Sequence, residues 1–264
     1  MPLIRRSKQT SPAGDDGHEV FGMRAHVREF RETTFFVPEY AAHKPVAKRI
    51  LSGRLVVPRL HQLVRDVLAH RPGSMVHAGA FFGDMLTSFS RKTPGTVYAF
   101  EPVLENYLFA HAAVEANRLD NVLLFHAGLG SDNALVQVET ENANGRHLGG
   151  MSYIIQPERR RPPLNTQRVP LLTVDQFKIP DLSLIQLDVE GYEPFVLRGA
   201  ERSIAAHRPV IVVEDTVGRC ADLLSAWRYV EVDVPLNLDR AFIPEEQMDE
   251  LLPVVGAEAS ADDS

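Results

Sequence analysis

Between Val56 and Leu68 the apolar residues Val56, Leu60, Leu63, Val64, Val67 and Leu68 return at intervals that keep them on one helix face, and the Arg71-Pro72-Gly73 that follows stops the helix. Residues 75–78 and 96–100 are short apolar runs that predict buried strands, with a helix starting after Gly83 between them, a βαβ unit. Past Pro102, a residue suited to a first helical turn, Leu104, Tyr107, Leu108, His111 and Val114 mark one face of a helix running to about Ala116. A third strand is expected over 121–130, and further strands at 134–139 and 168–174 flank an irregular stretch, 142–163, too long and mixed for a simple connection. Continuous apolar character at 182–189 and 208–214 is that of parallel strands covered on both faces. A single crossover helix is expected over 193–206, and a final strand over 227–234. No internal repeat is visible.

This alternation of strands and helices predicts a doubly wound, mostly parallel α/β sheet, in which ligands bind beyond the carboxyl ends of the strands. The residues to examine are therefore those at strand exits: His77 to Asp84, Glu101, Gly128 to Asp132, Asp188 to Glu193, and Glu214 with Asp215. Gly79 and Gly83 let the backbone turn sharply and approach a ligand, and the following helix directs amide donors at it. Their spacing is not the G-x-G-x-x-G of dinucleotide sites, and alone it describes any tight strand-to-helix turn. Glu101, 22 positions after Gly79 and at the end of the second strand, adds a carboxylate where such folds hold both hydroxyls of an adenosine ribose. That acid disfavours a 2′-phosphate and leaves NAD and S-adenosylmethionine both open. An NAD-dependent oxidoreductase is weakened by the missing third glycine and by the absence of a Tyr-x-x-x-Lys element.

Composition narrows the setting. The 264 residues carry a net charge of −7, which argues against a general nucleic-acid surface. The single cysteine, Cys220, forms no internal disulfide and offers no metal-site spacing, as expected of a reduced, cytoplasmic protein. The first residues have no apolar stretch behind them and so do not form a secretory signal, and no run approaches the roughly 20 apolar residues of a membrane span. The domain plan expected is a disordered start over 1–20, a partly helical extension over 21–71, the main α/β domain over 72–235, and a C-terminal extension with a disordered tail over 236–264.

The stretches "VHAGAFFGD", "VYAFEP", "NVLLFHAGLG", "LTVDQF", "LIQLDVEGYEPFVLRGA" and "RPVIVVE" occur in an order and spacing that resemble the FkbM-type S-adenosylmethionine-dependent methyltransferases, over roughly Pro72 to Glu214. The resemblance implies a Rossmann-like class I methyltransferase sheet, here with an N-terminal helical extension. It also implies O-methylation of a hydroxyl on a sugar, glycan or polyketide-type small molecule. On this resemblance His77, Gly79, Ala80, Phe81, Gly83, Glu101, Gly128, Leu129, Asp132 and Asp188 fall on cofactor-binding positions. Asp188, Glu190 and Glu193 are the candidates for handling the acceptor hydroxyl. His77 stands where the family generally has aspartate, and Phe81 where it has asparagine. A protonated His77 would oppose the cofactor's ammonium, so binding is expected to weaken at low pH. These two departures motivate the rival reading, a degenerate methyltransferase fold acting as a binding or scaffold module. His147, Ser152 and Tyr40 are expected at the acceptor, with His43 nearby, and Arg159, Arg160 and Arg161 are a charge run that either grips an anionic group or is solvated. Asp188, Glu190 and Glu214 have the chemistry to hold Mg²⁺ together, but strand-end acids are commonly hydrogen-bonded without metal and no metal is expected. The partner expected is the acceptor alone, with oligomer formation left open.

Overall fold

The computed structural model describes residues 4–6, 17–155 and 165–256. The chain opens on a four-stranded antiparallel sheet, β1 (Ile4–Arg6), β2 (His18–Val20), β3 (Met23–Phe30) and β4 (Thr33–Pro38), in which each strand pairs with the next. The first helices follow, α1 (Pro45–Leu51) and α2 (Pro58–His70). The N-terminal helical extension expected is corrected in its first part: the chain begins as strands, and α-helix, after a single 3-10 turn at Glu39–Ala41, forms only in α1 and α2. Phe35, Phe36 and Val37 of β4 are buried against Phe109, Ala112 and Ala113. That partner surface, more than local propensity, holds the sheet in place. Two of its short strands come from the first twenty residues, whose composition suggests a fraying terminus.

The main sheet then forms in the expected sequence: β5 (Ser74–Ala78), α3 (Leu86–Lys92), β6 (Val97–Phe100), α4 (Leu104–Asn117) and β7 (Val122–Phe125). The expected third strand ends at Phe125. Gly128–Leu129 (β8) leaves for a separate small sheet with β9 (Ala134–Glu139), β10 (Tyr153–Ile154) and β11 (Thr166–Leu172), in the order β10-β9-β11-β8. The chain returns through β12 (Leu182–Leu187) and β13 (Val210–Glu214), joined by α5 (Glu193–Arg198) and α6 (Glu201–His207). The single crossover helix expected here is broken at Gly199, where a β carbon would lie 1.9 Å from the Gly130 carbonyl oxygen. Only a glycine admits that contact, and the helix stops to make it.

After α7 (Ala221–Ala226) and β14 (Tyr229–Val232), a strand not anticipated in the sequence, β15 (Asp239–Pro244), inserts antiparallel between β13 and β14, and α8 (Met248–Val255) ends the described chain. The main sheet order is β14-β15-β13-β12-β5-β6-β7, parallel from β13 to β7. Alternate residues of the parallel strands serve two cores. Met75 and Leu184 pack with Leu60, Leu63 and Phe89, while Val76, Ile185 and Val213 pack with Val196, Leu197 and Ile204. The strand order reverses between β5 and β12, and the ligand crevice of such sheets opens there.

Candidate functional site

A cleft of about 380 Å³ lies at this reversal, lined by residues at the carboxyl ends of β5, β6, β12 and β13. Its floor depends on Gly79. This residue has φ +93° and donates its N–H to Phe100 O (3.0 Å), and a β carbon on it would sit 1.9 Å from the Asp188 carbonyl oxygen. Asp188 N–H in turn donates to Ala78 O at 3.0 Å. The two strand ends are therefore locked side by side, and Asp188 is carried to the cleft wall.

Glu101, 4% exposed, ends β6. One carboxylate oxygen accepts from Phe81 N–H (2.8 Å), and the other accepts from Val103 N–H (2.9 Å) and Asn106 Nδ2 (3.2 Å). Burial pushes its carboxyl up to about 7 against the opposing pull of these donors. A carboxylate has about four acceptor sites, so with three donors in place Glu101 keeps capacity for about one more, such as a ribose hydroxyl.

Phe81 adopts φ +47°, a left-handed conformation that costs a non-glycine residue about 1–2 kcal/mol. That turn aims its N–H at Glu101. Its ring faces away from hydrogen bonding and supports the loop above, since a β carbon on Gly149 or Gly150 would lie 3.3 Å from a ring carbon.

His77 is 2% exposed, with Nδ1 in a short hydrogen bond to Gln186 Oε1 and its ring edge-on to Phe89. Because Oε1 only accepts, Nδ1 carries the proton and Nε2 is left as an acceptor. Burial lowers its pKa to about 4. The weakening of binding expected from a protonated His77 is thereby moved well below the ordinary histidine range, and the ring is neutral throughout the physiological range.

The opposite wall is acidic. One carboxylate oxygen from each of Asp188, Glu190 and Glu214 lies within 4.8 Å of the others, and Asp239 of β15 also lines the cleft. Burial, a hydrogen bond to Glu214, and the charges of Glu214, Asp239 and Glu190 raise the Asp188 carboxyl well above the usual carboxylate range. Burial and the charge of Glu214, joined at Glu190 by that of Glu193, bring Glu190 and Asp239 to about 7. A proton held between Asp188 and Glu214 relieves the repulsion of like charges, and a divalent cation would relieve it by oxygen ligation.

Of the positions expected at the site, the structure brings His77, Gly79, Phe81, Glu101, Gly128, Leu129, Ser152, Asp188 and Glu190 to this cleft. It places the others behind it or away from it. Ala80 is buried beneath the turn, donating its N–H to Phe100 O. Gly83 packs on α4, where a β carbon would lie 3.0 Å from Ala110 Cα. Asp132 is exposed and bonds to Ser131. Glu193 is buried and accepts from the N–H groups of Val189 and Gly191, bracing the turn that presents Glu190. Tyr40 donates to Asn106 Oδ1 (2.7 Å) and stacks on His147, whose Nδ1 accepts from Gly149 N–H. Both thus support the loop and Glu101 from outside the cleft. His43 is exposed, and Arg159, Arg160 and Arg161 lie outside the described residues.

Lys44, Asp84, Asn106, Gln186, Asn237 and Asp239 also line the cleft. Asp84 was legible as the residue after Gly83. Asp239 belongs to a strand whose short, mixed sequence gave no signal.

The residues fit the cofactor that the resemblance implies. There is a fixed carboxylate for the ribose, a close-approaching backbone, and a predominantly acidic wall suited to a cation. Among described residues, no helix is long and apolar enough to cross a membrane. The chain is similar to the solved FkbM methyltransferase of Methylobacillus flagellatus, at 18% identity over 65% of this chain and 43% of that one, with a TM-score of 0.46. The match therefore spans less than half of that protein's length. A methyltransferase of Geobacter sulfurreducens is similar at 13% identity over 72% of this chain and 80% of that one, with a TM-score of 0.45. So is the O-methyltransferase of tomaymycin synthesis from Streptomyces achromogenes, solved with S-adenosylmethionine, at 13% identity over 82% and 89%, with a TM-score of 0.43. No protein of curated function matches the sequence. Residues 66–230, well over half of the chain and the whole of the parallel sheet, match the methyltransferase FkbM domain, and the protein belongs to that family.

Proposed function

We propose that the protein transfers the methyl group of S-adenosylmethionine to a hydroxyl oxygen of a sugar, glycan or polyketide-type small molecule. The observation that carries this reading is that Glu101 and Asp188, from strands on either side of the sheet's reversal, face one cleft. The cofactor supplies an electrophilic methyl on a sulfonium. What remains for the chain is to hold an oxygen in line with it and to take the proton away.

Glu101 accepts a ribose hydroxyl, and the Gly79 turn lets the backbone approach. Asp188, whose raised pKa makes it a stronger base than an exposed aspartate, orients the acceptor hydroxyl and receives its proton. Glu190 lies at the rim as a second acceptor of hydrogen bonds. Glu193 acts through the turn that it braces. Val46, Val56, Leu60 and Met85 supply an apolar wall. Four carboxylates at the reacting end disfavour an acceptor carrying phosphate or carboxylate there.

Incubation with methyl-labelled S-adenosylmethionine and a panel of neutral hydroxylated acceptors tests the reading. Label recovered in an ether linkage supports it. Label recovered only on nitrogen contradicts the O-methylation, and cofactor binding without turnover on any acceptor class favours the binding-module reading.

A further inference from the structure

Among the described residues, Asp84 is a buried carboxyl that no donor or cation of another residue reaches. It follows Gly83 on the turn between β5 and α3, is 7% exposed, and lines the cleft with His77 and Met85. The other acids buried around the sheet's carboxyl end are satisfied. Glu101 has three protein donors, Glu193 accepts two backbone N–H groups, and Asp215 accepts from the N–H groups of Arg219 and Cys220 with Arg240 3.7 Å away. The Asp84 carboxyl has only its own backbone N–H, and among the described residues no cation pairs with it. Burial raises it to about 7. A buried carboxylate lacking donors is unfavourable until a cation or donor reaches it, and this one borders a cavity that a ligand can enter. On the other side of the question, His77 is neutral and offers one lone pair, at Nε2, in place of a charge.

We infer that Asp84 is the ion-pair partner of the α-ammonium group of the cofactor's methionine moiety, with His77 Nε2 as a neutral second acceptor. This rests on the S-adenosylmethionine reading. The chain keeps one negative charge for that ammonium but supplies it from the turn instead of from strand β5. Position 77 is then free to be an uncharged group tied to Gln186.

The test compares calorimetric binding of S-adenosylhomocysteine, its desamino analogue in which hydrogen replaces the α-amino group, and 5′-methylthioadenosine, which lacks the whole amino-acid end. The wild-type protein is expected to bind the desamino analogue about 10- to 100-fold more weakly than S-adenosylhomocysteine, the range of a charge-assisted hydrogen bond. Asp84→Asn is expected to lose the same factor for S-adenosylhomocysteine and nothing for 5′-methylthioadenosine. Adding His77→Asp to Asp84→Asn is expected to restore part of the loss. Equal wild-type affinity for S-adenosylhomocysteine and its desamino analogue overturns the inference, and needs no variant to fold. Equal loss of all three ligands in Asp84→Asn overturns it too, because that residue would then be only structural. If the wild-type protein binds none of the three, the cofactor reading itself fails and the inference falls with it.

Discussion

At the scale of single residues, Asp188 and Glu101 are two acids of one cleft that their surroundings hold in different ways. Glu101 is clamped by three donors and cannot swing, which suits a group that only binds. Asp188 shares a hydrogen bond with another acid, Glu214, which suits a group that exchanges a proton. Replacing Asp188 with Asn keeps the shape and removes the base. It is expected to lower kcat by about 10²- to 10⁴-fold while leaving S-adenosylhomocysteine affinity within about threefold of wild type. Steady-state kinetics together with calorimetry check this, and an unchanged kcat removes Asp188 from the chemistry. Both residues were legible in the sequence because each ends an apolar run, so that a strand exit and an acid coincide. Glu193 was legible as an acid but not as a brace. Its distance from the cleft is set by a turn at Glu190 and Gly191, both at positive φ, that no spacing rule reveals.

The elements tell a similar story about what local pattern carries. The helix α2 and the strands β5, β6, β12 and β13 are periodic or continuously apolar, and each forms where expected. The N-terminal sheet was missed because its burial comes from contact with α4, which lies some seventy residues further on, and β15 because its neighbours β13 and β14, not its own residues, make it a strand. The break at Gly199 needs the distant Gly130 to be seen.

The loop above the cleft is likewise held from outside itself, by Phe81 beneath Gly149 and Gly150 and by Tyr40 against His147. Phe81→Ala removes the ring and is expected to leave the parallel sheet folded while speeding tryptic cleavage after Arg146 by roughly tenfold, since low local stability governs such opening. Limited proteolysis followed by mass spectrometry reads the site of cutting. An unchanged rate would mean that the loop closes without Phe81.

For the molecule as a whole, the consequence of the acidic cleft is a dependence of stability on pH. Asp84, Glu101, Glu190 and Asp239 all sit at about 7 in the folded protein, above the roughly 4 of the unfolded chain. The folded state therefore binds more protons, and its stability is full below the unfolded values and falls as pH rises through about 7. His61 and His77, lowered to about 3 and about 4, act in the opposite sense, but only below about 6.5, where the unfolded histidines charge. Between pH 6.5 and 8 the carboxyls act alone. Thermal melts without ligand are expected to show a midpoint that drops by several degrees across that interval, on the order of 5 °C, and a flat or rising midpoint would contradict the charge distribution described here.

In the proposed cofactor site the same carboxyls, not His77, are the groups expected to titrate near neutral pH. The measurement that bears most directly on the central claim is calorimetric titration of S-adenosylhomocysteine into the wild-type protein and into Glu101→Ala at pH 8. Micromolar binding by the wild type, weakened at least about tenfold in Glu101→Ala as expected for the loss of a buried hydrogen-bonding charge, is the predicted result. No binding by the folded wild-type protein, or equal binding by the two, would contradict the assignment of this cleft as the cofactor site.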